Sequence, residues 1–106
     1  MSIEKRQLIE RIKNNMKTLD ILKENKATAN AIKKLDSVDL MPYIQSHKGK
    51  EVRHLMGCIN YHVPYSDEYS DSVLDLLTEE EFFKYLLDRY GEDIVEVEEV
   101  VIYRVK

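Results

Sequence analysis

Tryptophan is absent from this chain of 106 residues, cysteine occurs once, and there are only three glycines and two prolines. The lone thiol, Cys58, excludes an intrachain disulfide and fits a reducing compartment better than secretion. Gly49, Gly57 and Gly91 are isolated, so no phosphate-cradling P-loop and no dinucleotide fingerprint can be drawn from them. No apolar run approaches the ~20 residues of a membrane span. The N-terminal stretch MSIEKRQLIERIKNN is charged and periodic, where a signal peptide needs a continuous apolar core. Ser2 stands where N-myristoylation requires glycine. These absences predict a cytoplasmic, soluble protein with no membrane partner.

What is present fits a folded domain. Hydrophobic residues make up 43% and charged residues 34%, a balance that excludes global disorder. The length suits one domain over residues 1–106, able to bury roughly two-thirds of its unfolded surface. Charge is unevenly distributed along it. Residues 1–50 carry eleven of the sixteen Lys and Arg but six of the twenty Asp and Glu, a net of +5 against −9 for the remainder. Such asymmetry predicts two electrostatic surfaces, which steer partners rather than perform chemistry.

Residues 3–26 place Leu8, Ile9, Ile12, Met16, Leu19 and Leu22 at helical spacing, with Ser2 available as a cap. Asn25 reads as the C-cap of this helix and Thr28 as the start of a second through Ala31, Ile32 and Leu35; one continuous helix is the alternative. Residues 1–35 are thus a basic helical part and 36–106 an acidic α+β part. In the latter, Pro42 fits the first turn of a helix or a sheet edge, leaving residues 36–50 open between helix and hairpin. Residues 52–63 place Leu55, Ile59, Tyr61 and Val63 on one parity, predicting a strand with Gly57 as a bulge and Pro64 as its end. Thr78 and Glu81 form a capping box before a helix through Phe82, Phe83, Leu86, Leu87 and Tyr90, with Gly91 as C-cap. Residues 94–105 are β-branched and alternating, with Glu98 and Glu99 at a bulge or a turn between two strands. The fold class is α+β: an N-terminal amphipathic helix or helical hairpin, a small antiparallel sheet, and a C-terminal helix followed by a β-strand.

His54, Cys58 and His62 recur at a spacing of four. In a strand, residues four apart stand roughly 13 Å from one another. One ion with bonds near 2 Å cannot gather all three; only a helix permits it. The strand reading therefore assigns no metal and no cofactor, and makes Cys58 a buried core thiol. A Cys58 nucleophile served by His54 or His62 lacks the helix N-terminus that would lower its pKa, so no catalytic residue is assigned either.

Two binding surfaces remain. Acids interleaved with tyrosines, centred on Tyr65, Asp67, Glu68, Tyr69, Asp71, Glu79 and Glu80, suit a protein partner with a basic surface: tyrosine supplies rigid contact area and acids supply rate and specificity. The alternative is a nucleic acid, nucleotide or other small anion held by the basic helix with Lys26, Lys33, Lys34, Lys48, Lys50 and Arg53. Against it, the chain is acidic overall, with a net charge of −4. The expectation is a non-enzymatic regulator acting by protein contact, homodimeric through its opposed charges. The Lys-, Asn- and Ile-rich style matches many phage and mobile-element products, whose specialisation is inhibition of a host enzyme or defence complex.

Overall fold

The computed structural model describes residues 22–97 and 102–106. The predicted helix over residues 3–26 lies almost wholly outside them, as do Glu98, Glu99 and Val101. The described residues form a mixed helix-and-sheet structure: helices α1 (Lys26–Asp36), α2 (Met41–Gln45), α3 (Val52–His62) and α4 (Glu79–Tyr90), then strands β1 (Val95–Val97) and β2 (Tyr103–Val105). The α+β expectation holds at this level.

A continuous helix through Leu35 is not what forms. Residues 23–25 are non-helical, and Asn25 is an N-cap rather than a C-cap. Its backbone is extended (φ −81°, ψ 119°) and its Oδ1 accepts the Thr28 N–H at 3.1 Å, satisfying one orphan donor of α1. Ala27, Ala31, Ile32 and Leu35 face inward. The hairpin option for residues 36–50 gives way to the short helix α2, with Pro42 in its first turn, where no amide hydrogen is needed.

The predicted strand over residues 52–63 is a helix. Val52, Leu55 and Ile59 recur at helical spacing and are buried, whereas Tyr61, which a strand would turn inward with Leu55 and Ile59, is 84% exposed. Gly57 is therefore a helical residue, not a bulge. The predicted stop is correct: α3 ends at His62, and Val63, before Pro64, takes the extended backbone that proline's ring imposes on its predecessor.

The capping box of α4 forms as expected. The Glu81 amide donates to Thr78 Oγ1 at 3.1 Å, and the Thr78 amide donates to Glu81 Oε1 at 2.8 Å. Gly91, at φ +92°, closes the helix in a backbone region that L-residues avoid. Phe82, Phe83, Tyr85, Leu86 and Leu87 are all buried, because α4 packs on α3 and on both strands. Lys84 is also buried, its ammonium 3.0 Å from Asp88 one turn on. The strands pair antiparallel, Val95 opposite Val105 and Val97 opposite Tyr103, with these four inward. Losing the α3 segment leaves a two-stranded sheet, extended on the β2 side by residues 49–51. Gly49 N–H donates to Val105 O at 2.8 Å and Val105 N–H to Lys50 O at 2.9 Å. Apart from Ala27, the buried hydrophobic side chains between Leu22 and Val105 form one cluster.

Candidate functional site

The acidic, tyrosine-bearing segment becomes an ordered loop. Pro64 and Ser72 bridge its ends. Inside it, Asp67 N–H donates to Ser70 O at 3.1 Å and Tyr69 N–H to Asp67 Oδ1 at 3.0 Å. Ser70 Oγ donates to Ser72 O at 2.9 Å and meets Asp75 Oδ2 at 3.0 Å. Aspartate and serine fold this chain because their short side chains replace backbone partners in turns. Tyr65 is half-buried, and its hydroxyl, out of solvent, makes no hydrogen bond of good geometry. Burial, and then the Asp67 carboxylate beside it, raise its pKa. Glu68 and Asp71 are exposed, and Tyr69 is 50% exposed, with Glu68 chiefly responsible for raising its pKa.

Tyr69 also walls an open depression of about 600 Å³ with Asn25, Lys26, Ala27, Thr28 and Leu76. Lys26, from the basic set, and Tyr69, from the acidic set, thus line one feature. Glu79 and Glu80 belong to another neighbourhood. Glu79 Oε2 accepts the Arg53 amide at 3.0 Å, capping the start of α3 from a distant helix. With Glu80, it lies close enough to Tyr103 to raise that phenol's pKa further, after burial has pushed it up, to about 12 in all.

The basic set is divided too. Lys33 and Lys34 occupy the last turn of α1, at the other end of that helix from Lys26. Lys48 and Lys50 are exposed in the turn that joins β2. There Gly49 O accepts from Arg104 Nη1 at 2.9 Å, and Arg104 stands opposite Glu51 on one side and Glu96 on the other. Arg104 went unnoticed in the sequence because it sits within its acidic half. Arg53 is exposed but drawn to Glu51 at 3.0 Å.

On α3, His54 and His62 are exposed and Cys58 is partly so, which corrects the reading of Cys58 as a core thiol. The His62 ring stacks on Tyr43 (centroids 5.7 Å apart, 17°) and meets Tyr61 edge-on at 4.9 Å. Among the described residues, no three His, Cys, Asp or Glu side chains form a group that could hold a metal ion. Among the same residues, no helix is long and apolar enough to cross a membrane. Comparison with protein-family models, curated proteins and solved structures gives no match.

Proposed function

We propose that this chain is a small non-enzymatic binding protein that acts by contact with another protein through the loop at residues 64–72 and the depression beside it. The supporting observation is the loop's internal order. Its turn bonds are made before any partner arrives, so less conformational entropy is lost when Tyr69, Glu68 and Asp71 engage a basic surface. Regulation, in the form of inhibition of a host enzyme or defence complex by a phage or mobile-element product, is the finer version of this reading. The test is affinity capture with the wild type and with a Glu68→Lys/Tyr69→Ala/Asp71→Lys variant. A protein retained by the first and lost from the second is expected. Equal retention by both, or recovery of nucleic acid alone, counts against the loop.

A second reading is favoured by one tertiary observation. Residues 49–51 run beside β2, which sets the exposed turn carrying Lys48 and Lys50 next to Arg104 from the acidic half. An anion or nucleic acid bound there should dissociate steeply as salt rises, and neutralising Lys48 and Lys50 should weaken it. Binding that ignores salt removes this reading.

A further inference from the structure

The depression beside the loop is lined at one end by the start of a helix. Asn25 is the N-cap of α1 and Lys26, Ala27 and Thr28 are its first three residues; Tyr69 and Leu76 complete the lining. A volume of about 600 Å³ suits a small ligand. The first amides of a helix lack intrahelical partners and carry the positive end of its dipole. Asn25 Oδ1 takes the Thr28 amide, but among the described residues nothing accepts from the amides of Lys26 and Ala27. The Thr28 side chain is a second, independent feature. Thr28 is 9% exposed and lines the depression, and its hydroxyl makes no hydrogen bond among the described residues. A polar group so enclosed is ordinarily paired, and the depression is the side from which a partner can reach it. The exposed Lys26 ammonium is likewise in no ion pair among the described residues.

We propose that this depression binds the phosphate group of a small phosphate monoester. The Lys26 and Ala27 amides and the Thr28 hydroxyl are donors on consecutive residues, which suits an anion with three terminal oxygens. The Lys26 ammonium offsets its charge. A carboxylate has only two oxygens and leaves one of these donors unmet. Tyr69, Leu76 and Ala27 give the remainder of the ester a largely apolar wall. No lining residue is acidic. Glu24, Glu68 and Asp75, the acids next in sequence to lining residues, are exposed, where water and salt screen them.

Titration with phenyl phosphate at fixed ionic strength tests the site, read as proton–nitrogen chemical shifts of the backbone amides. Benzoate, which carries the same ring on a carboxylate, is titrated in parallel. Far-ultraviolet circular dichroism checks that each variant is folded. Phenyl phosphate should shift the Lys26, Ala27 and Thr28 amides of the wild type saturably, and benzoate should bind more weakly. Lys26→Ala should weaken binding roughly tenfold, as a charge-assisted contact is lost. Thr28→Val keeps the shape but removes the hydroxyl, and should weaken it roughly fivefold. Lys33→Ala, at the other end of α1, should bind as the wild type does. The proposal is overturned by absence of saturable shifts in the wild type or by equal affinity for benzoate. Unchanged affinity in Lys26→Ala or Thr28→Val, or a Lys33→Ala loss equal to that of Lys26→Ala, overturns it as well. Glu68 and Asp71, on which the proposed protein contact depends, do not line the depression, so failure here leaves that contact standing.

Discussion

The Arg89 guanidinium occupies the exit of α1, where helical carbonyls run out of amide partners. Its Nη1 donates to Leu35 O and to the Tyr85 hydroxyl, both at 3.0 Å, and its Nη2 donates to Val38 O at 2.8 Å. The Tyr85 hydroxyl in turn donates to Asp36 Oδ1 at 2.7 Å. A cation at a helix C-terminus also meets the negative end of its dipole. Arg89→Ala is expected to lower unfolding free energy by about 2 kcal/mol, because hydrogen bonds to a charged group are lost and Val38 O loses the guanidinium, although Leu35 O keeps the Val38 amide. Arg89→Lys should not restore it, since one ammonium cannot reproduce a planar fork; denaturant midpoints of the two variants check both outcomes. Tyr103 gives a pH-dependent prediction. Burial first, then Glu80 and Glu79, push its pKa up to about 12 from 10, so the folded state holds the phenolic proton more tightly than the unfolded state does. The resulting stability is full below pH 10 and is lost as pH rises through about 12. Urea midpoints measured between those limits should fall more gently for Tyr103→Phe than for the wild type.

Among the elements, α4 was legible in the sequence and α3 was not, for one physical reason. Thr78, Glu81 and Gly91 act on their own helix ends, so a local pattern is sufficient to read them. The positions Leu55, Ile59, Tyr61 and Val63 satisfy period two, while Val52, Leu55 and Ile59 satisfy helical spacing; contact with α4 and β2 selects the second set. The remote cap from Glu79 adds to this choice by meeting the Arg53 amide, a bond that no short window of sequence displays. Gly57 within an exposed stretch of α3 then becomes a weak point. Gly57→Ala should raise stability by roughly 0.5–1 kcal/mol, as alanine suits a helix interior and its Cβ meets nothing within 4 Å. A lowered thermal midpoint would contradict the helical assignment. The same shift from strand to helix moved Cys58 from the interior to a partly exposed face.

For the whole molecule, the split of charge along the chain does not translate directly into two faces. Arg104, from the acidic half, stands next to the turn that carries Lys48 and Lys50, while Lys26 lies beside Tyr69 of the acidic loop. Basic edge and acidic loop can still attract one another between copies, the interaction expected of a homodimer. Charges on exposed surfaces are screened beyond roughly 8 Å at physiological salt. Sedimentation should therefore show a dimer at low salt that weakens at high salt; a monomer under both conditions removes the homodimer.

Local chemistry in the sequence determined where α4 begins and ends, that α3 stops before Pro64, and that residues 95–97 and 103–105 extend as alternating strands. Each rests on a cap, a ring or a side-chain alternation acting within a few residues. Only the tertiary structure decided that residues 52–62 are helical, that the turn carrying Lys48 and Lys50 meets Arg104, and that Arg89 closes α1. Those outcomes depend on which distant surfaces bury one another, and period-two and helical patterns become distinguishable only when a neighbouring element selects the face to be covered.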